Sequence, residues 1–196
     1  GISPPADLND LFQPGYTGNA GGAARLASNS WGSAASGAYT LNSMQVDQFM
    51  WAHPDFFIAF SNGNSGSAGS VGEPASAKNS GGVGGTGNGT SQNSIYSSTS
   101  RGPTADGRRK PTYCAPGSAV YSANGAGTTT YISLSGTSMA SPAATGAMVL
   151  MRQYLTDGWY PTGAAVPANG FPPSAALLKA MAINSAADSM VSNLAP

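Results

Sequence analysis

Charged side chains and cysteine are scarce in this chain. Acidic and basic residues together make up 8% of its 196 positions and balance to a net charge of zero. Binding to nucleic acid, or to a membrane through a polybasic segment, needs basic patches, so we expect neither kind of partner. The single cysteine, Cys114, excludes an internal disulfide framework and a thiolate zinc site. No apolar run is long enough to span a membrane, and no secretion signal is visible.

Residues that could act as bases or bind metals are also few. The one histidine, His53, lies in Ala52-His53-Pro54, where a predicted helix ends, and this position is typical of a structural or surface histidine. The carboxylates are scattered along the chain, and Asp106 lies in a glycine-rich turn. Calcium sites in proteins use clustered oxygen ligands, so the sequence predicts no metal site.

Glycine and apolar residues, by contrast, are abundant. The chain has 27 glycines, and 40% of its residues are hydrophobic, which indicates a folded domain with many tight turns. Periodicity predicts helices at 5–12, 39–52 and 143–155 and strands at 23–28, 55–61 and 131–134. Alternating strands and helices favour an α/β fold with a parallel sheet. The candidate core residues are Leu8, Leu11, Phe12, Leu41, Met44, Phe49, Met50, Met148, Met151 and Leu155.

The seven residues 136–142, Gly-Thr-Ser-Met-Ala-Ser-Pro, join the last predicted strand to a helix rich in alanine and glycine. Ser138 therefore lies near the unpaired N–H groups of a helix start, where an oxyanion would be stabilised. The simpler interpretation is an N-cap serine. Pro142 suits only the first turn of the helix. The small residues after it predict that other backbone packs closely on the helix.

A turn with the sequence Asn-Gly-Asn-Ser-Gly follows the predicted strand at 55–61. Chemistry in open α/β sheets collects beyond the carboxyl ends of the strands, which is where Asn64 lies. Asn64 could be a turn residue that tolerates a left-handed backbone, or an amide donor directed at an oxyanion.

These segments together resemble the subtilisin-like serine peptidases, the subtilases. The string at 136–142 resembles their nucleophile motif, and Gly63, Asn64 and Gly66 match their Gly-Asn-x-Gly turn. Further similar segments are Ser30-Trp31-Gly32, Gly72-Glu73-Pro74, 74–86, 97–103, 106–111, Ala115-Pro116-Gly117 and 174–186. Thr99 and Thr112 depart from the family pattern. The subgroup most similar is the alkaline, oxidatively stable bacterial type and its protist relatives.

The resemblance implies a three-layer α/β fold with a parallel sheet, and a serine endopeptidase acting on polypeptides. Ser138 would be the nucleophile, and the Asn64 side chain and the Ser138 N–H would share the oxyanion. Ser30, Trp31 and Gly32 would form one wall of the substrate pocket, Gly63 the turn beside it and Gly72 its floor. The resemblance also implies a cis bond between Glu73 and Pro74. It implies no cofactor, although calcium is common in the family.

The family's triad aspartate and histidine segments are absent from the sequence. We therefore expect residues 1–196 to form a single partial catalytic domain whose N-terminal part is missing, and we call the longer protein the parent protein. Alone, the chain would lack a base for Ser138 and should be inactive. We expect the parent to be secreted, which would allow glycosylation at Asn88-Gly89-Thr90. An inactive subtilase-fold binding or scaffold domain remains the alternative. An α/β-hydrolase is excluded because no histidine follows Ser138.

Overall fold

Four short parallel strands form the central sheet of the protein. The computed structural model describes residues 3–18 and 22–187. Within them the strands lie in chain order: β1 (Leu26–Asn29), β2 (Phe57–Ser61), β3 (Gly81–Thr86) and β4 (Tyr113–Pro116). The predicted parallel α/β architecture is confirmed, although β1 and β2 begin later than expected. β2 is buried along nearly its whole length, as its apolar sequence predicted.

Helices cover both faces of this sheet and make three layers. The four helices are α1 (Leu8–Thr17), α2 (Leu41–Ala52), α3 (Thr137–Thr156) and α4 (Ala175–Ser185). α3 contacts all four strands, and the Tyr113 hydroxyl donates to Met148 Sδ of α3 at 3.2 Å. On the other face, the ring of Phe60 packs against Phe12 of α1, which also meets Phe49 of α2. No described helix is both long enough and apolar enough to cross a bilayer.

Strand β3 consists almost entirely of glycine and is completely buried. A Cβ on Gly81 would collide with the rings of Phe57 and Tyr113, and one on Gly84 would lie 2.7 Å from Cys114 Sγ. Side chains from the neighbouring strands fill the space that β3 leaves open. The small residues of β3 therefore set how closely the adjacent strands and α3 can pack.

The predicted boundaries and core residues of α1 and α2 need correction. Asp7 caps α1 by accepting from the Asn9 N–H, so the helix starts after Asp7 and continues past the predicted end at residue 12. Leu11, Leu41 and Met44 are exposed. In α2 the polar Ser43 and Gln45 face inward instead, because their side chains find partners there: Ser76 Oγ at 2.7 Å and the Leu8 N–H at 3.1 Å.

Helix α3 begins six residues before the predicted start, at Thr137. Pro142 is therefore the sixth helical residue and not part of the first turn as predicted. The small residues Ala143, Gly146 and Ala147 are exposed, so among the described residues no other backbone packs on them, contrary to expectation. The opposite face of the helix, with Ala140, Ala144 and Met148, packs on the sheet.

The predicted strand before the nucleophile motif exists but lies outside the parallel sheet. β6 (Tyr131–Leu134) pairs antiparallel with β5 (Val120–Ala123) in an exposed hairpin, in which the rings of Tyr121 and Tyr131 stack at 5.4 Å. The Gly136 N–H donates to the Gly117 carbonyl directly after β4. This bond fixes the base of the hairpin at the carboxyl edge of the sheet, so α3 begins at that edge.

Candidate active site

Ser138 is the second residue of α3 and is partly exposed. Gly136, the residue before the helix, has φ +154° and ψ 163°, a conformation available essentially to glycine alone. The first turn bends sharply, with the Met139 N–H donating to the Gly136 carbonyl at 3.0 Å. Among the described residues, no acceptor lies within hydrogen-bond reach of the Ser138 N–H. That N–H is therefore a free donor at the positive end of a 20-residue helix.

Asn64 reaches the same helix end from the loop after β2. Its Oδ1 accepts from the Thr137 N–H at 2.9 Å and from the Thr137 hydroxyl at 3.1 Å. The amide oxygen is thus fully used as a cap for α3, and Nδ2, at the other end of the amide, has no acceptor in the described part of the chain. The structure brings Asn64 and Ser138 together across 74 positions of sequence. The reason is not the expected one, since the strand before Ser138 belongs to the hairpin and not to the sheet.

Thr137 is a site residue that the sequence analysis missed. Its hydroxyl accepts from the Gly63 N–H at 3.2 Å while donating to Asn64 Oδ1. These bonds fix the Gly63–Asn64 turn to the start of α3. The sequence feature that could have identified Thr137 as a site residue is its position inside the motif at 136–142, one residue before Ser138.

A cavity of about 260 Å³ opens beside these groups. Its lining includes all the residues predicted for substrate binding and the oxyanion: Ser30, Trp31, Gly32, Gly63, Asn64, Gly72 and Ser138. Backbone bonds between Ser33 and Glu73, at 2.9 and 3.0 Å, hold two of its walls together. A Cβ on Gly72 would lie 2.7 Å from the Ser33 carbonyl oxygen, so this position has no room for a side chain.

Trp31 and Glu73, which both line this cavity, also have structural contacts. Trp31 packs edge-on against Phe60 at 5.2 Å and donates from Nε1 to Asn29 Oδ1. The Glu73–Pro74 bond is cis, as the resemblance implied. Glu73 is the one carboxylate on the cavity wall in the described residues, and it accepts from Asn42 Nδ2 at 3.2 Å.

Ser30 links the cavity wall to the nucleophile helix. Pro142 has no N–H, so the Ser138 carbonyl lacks its usual helical partner four residues on. The Ser30 hydroxyl donates to that carbonyl instead, at 2.7 Å. In return, the Ser138 hydroxyl lies 3.4 Å from the Ser30 carbonyl oxygen, a long contact. The proline in α3 and the serine after β1 are therefore complementary.

No base stands next to Ser138 in the described part of the chain. His53 ends α2, where its ring packs on Tyr16 at 4.0 Å and on Phe49 at 4.4 Å, as expected for a structural histidine. Hydrogen bonds from Arg108 and then from Thr104 lower the pKa of Asp106 to about 2. Asp106 is thus engaged in a local ion pair.

The carboxylates do not fit a calcium site. No group of three or more histidine, cysteine or acidic side chains comes together within residues 3–18 and 22–187. Asp55 pairs with Arg25 at 2.7 Å, and Asp47 accepts from the backbone of Lys78 and Asn79. Calcium needs six to eight oxygen ligands, and these residues do not supply them.

Ser138 at its helix start and the Asn64 amide beside it thus place two free donors near one hydroxyl, at the carboxyl edge of the sheet. Sequence comparison defines the family, because residues 10–195 match the subtilase family, peptidase S8. The chain belongs to this family.

Relatives in Dictyostelium discoideum are much longer than this chain. It is 33% identical to the serine protease/ABC transporter B family protein tagD, with 93% of this chain and 15% of that protein covered. It is 45% identical to tagB of the same description, over 48% of this chain and 6% of that protein. The chain therefore spans a small part of the curated relatives that it matches.

Solved structures agree on the fold. A cold-adapted subtilisin-like serine proteinase matches with a TM-score of 0.59 at 24% identity, over 89% of this chain and 53% of that one. The self-cleaved protease domain of PatA matches with a TM-score of 0.63 at 20% identity, over 85% and 55%. The chain has the α/β fold of these subtilisin-like proteases.

Proposed function

We propose that the parent protein is a serine endopeptidase that cleaves polypeptides through an acyl-enzyme on Ser138. The observation that carries the proposal is the pair of free donors beside Ser138, its own N–H and Asn64 Nδ2. An oxyanion hole needs two such donors at about 2.7–3.1 Å from one point, held in place before the reaction begins. The bonds from Thr137 to Asn64 and Gly63 would hold them there.

The substrate would lie along residues 30–32, with one side chain in the cavity between that segment and Gly63 and Gly72. Gly72 would form the floor of the cavity, where the Ser33 carbonyl approaches too closely for a side chain at this position. The cavity is lined mainly by serine and glycine residues, with Glu73 as its one carboxylate in the described residues.

The base for Ser138 would come from a histidine outside residues 1–196, oriented by an aspartate. With His53 packed among aromatic rings at the far end of α2, the chain itself offers no candidate in its described residues. In this proposal residues 1–196 form one partial catalytic domain, and the isolated chain does not hydrolyse peptides. We keep a secreted location as an expectation for the parent protein; the sequon at Asn88 would then allow glycosylation, and a chance match of this motif is the equal alternative.

The test compares the parent protein, its Ser138→Ala variant and the isolated chain, using a fluorophosphonate probe and a chromogenic peptide. We expect Ser138→Ala to abolish labelling and lower turnover by about 10⁴-fold or more. Ser135→Ala is the matched control, since Ser135 is exposed and does not line the cavity. Turnover by the isolated chain at the parent's rate would refute the proposed external base.

The alternative is an inactive subtilase-fold domain that binds or scaffolds other proteins; it would need no base near Ser138, and the described residues place none there. An unlabelled parent protein that nonetheless carries the family's histidine and aspartate segments would support this alternative over the peptidase.

A further inference from the structure

A second and larger cavity, of about 770 Å³, lies along strand β4 and helix α4. All three lysines of the chain line it, together with two of its arginines: Lys78, Lys110, Lys179, Arg108 and Arg109. No carboxylate is among its described lining residues. A chain with only eight basic residues has thus placed five of them around one cavity.

Two of these ammonium groups are held in place by backbone carbonyls. Lys110 is 6% exposed, and its Nζ donates to the Ala77 carbonyl at 2.8 Å. Lys179 Nζ donates to the carbonyls of Lys78 and Asn79 at 2.8 and 3.2 Å. Each ammonium has three donors, so neutral carbonyls leave part of its donor capacity and all of its charge uncompensated.

Arg108 adds a donor that has no partner. Its Nε pairs with Asp106, and Nη1 donates to the Ser76 carbonyl at 2.8 Å. Nη2 is buried and makes no hydrogen bond in the described part of the protein. A buried, unpartnered guanidinium N–H costs free energy unless a ligand or water accepts from it.

Nearby carboxylates compensate this charge only in part. Asp106 is paired with Arg108, and Asp47 binds the backbone N–H groups of Lys78 and Asn79. Burial first, and then repulsion from Lys179 and Arg108, lowers the pKa of Lys110 to about 7, while Asp47 acts in the opposite direction. An anion in the cavity would favour the charged lysine.

We propose that this cavity binds a small organic anion that carries two or more phosphate or carboxylate groups. The size is in the range of small-molecule sites, and the remaining lining is mainly apolar, including Pro111, Ala115 and Ile183. Oxyanions are the natural partners of clustered arginine and lysine donors. The site lies on the outer strand of the described sheet, away from Ser138, and it does not depend on peptidase activity.

The test titrates the Ser138→Ala parent protein with inorganic pyrophosphate and, separately, with citrate, by calorimetry and thermal unfolding. We expect saturable binding of at least one of these anions, accompanied by a rise in Tm that sodium chloride of equal ionic strength does not reproduce. Comparing the affinities for pyrophosphate and citrate shows whether the site prefers phosphate or carboxylate groups.

Variants link the binding to the cavity. Arg109→Gln and Lys179→Gln should each weaken binding about tenfold, because each removes a charged donor. Arg152→Gln, on α3 and outside the cavity lining, is the matched control and should bind as the unaltered protein does. Arg109 is exposed, so its replacement should leave the fold intact even if that of Lys179 does not. Absence of saturable binding, or equal weakening by all three substitutions, would overturn the proposal.

Discussion

The two cavities of this protein are built from opposite kinds of groups. The cavity beside Ser138 is lined mainly by serine and glycine residues with one carboxylate, whereas five basic residues line the cavity along β4. The first can hold a neutral backbone and stabilise a charge that appears only during a reaction. The second carries an excess of positive charge that nearby carboxylates compensate only in part. A low overall charge therefore says little about where the charges lie, and zero net charge did not exclude a basic patch.

The comparison predicts that an asparagine-to-aspartate substitution lowers turnover far more in the first cavity than in the second, and this is the largest effect that we expect. Asn64→Asp keeps the oxygen that accepts from the Thr137 N–H but removes the Nδ2 donor. We expect kcat in the parent protein to fall about 10²–10³-fold with little change in KM. Asn93→Asp makes the same chemical change in the second cavity and should leave turnover unchanged. Equal losses in both variants would show that the added charge, and not the donor, matters.

A smaller effect is expected from the link between Ser30 and Pro142. Ser30→Ala removes the hydrogen bond to the Ser138 carbonyl and should lower the free energy of unfolding by about 0.5–1.5 kcal/mol. In a Pro142→Ala background the same carbonyl gains a helical N–H, so the effect of Ser30→Ala should shrink. Denaturant unfolding of the two single variants and the double variant gives this coupling. Additive effects would mean that the two residues act independently.

A third predicted effect is a pH dependence of stability that arises at the second cavity. The pKa of Lys110 is lowered from 10.5 to about 7, mainly by burial, so the folded state binds fewer protons than the unfolded state between these values. The free energy of unfolding should therefore rise as pH increases from about 7, before the buried Cys114 thiol, whose pKa is raised from 9.0, opposes it above about pH 9.

Lys110→Met should flatten this rise between pH 7 and 9 in anion-free buffer, as measured by urea unfolding. Arg109→Gln is the control, since it removes a different basic side chain from the same cavity lining. An unchanged slope in Lys110→Met would show that Lys110 stays charged in the folded protein.

The site beside Ser138 could be predicted from sequence because its residues lie in contiguous motifs. The string at 136–142 indicates the family, and the turn at 63–66, which is weak evidence alone, becomes strong evidence when that string follows it. The second cavity could not be predicted, because its cations come from positions 78, 108–110 and 179, which the fold alone unites.

The incorrect predictions within the fold have the same cause, because they too depend on partners that are distant in sequence. Ser43 and Gln45 were not among the predicted core residues of α2, because their buried partners, Ser76 and the Leu8 N–H, lie far away in sequence. The strand at Tyr131–Leu134 was identified, but four residues do not reveal whether the partner is the sheet or a hairpin. Pro142 was predicted to lie in the first helical turn because a missing N–H is harmless there. The sequence does not show that the hydroxyl of Ser30, 112 positions upstream, replaces this N–H as the donor to the Ser138 carbonyl.

The glycine strand β3 has a consequence for how this protein can change over evolutionary time. A side chain at Gly81 meets Phe57 and Tyr113 at once, and one at Gly84 meets Cys114 and Pro111. A single substitution there would have to be preceded by shrinkage of two neighbours, each of which would first leave a void in the core. These intermediate variants would have a lower free energy of unfolding than the starting protein. The centre of the sheet should therefore drift far more slowly than the exposed hairpin that leads to Ser138.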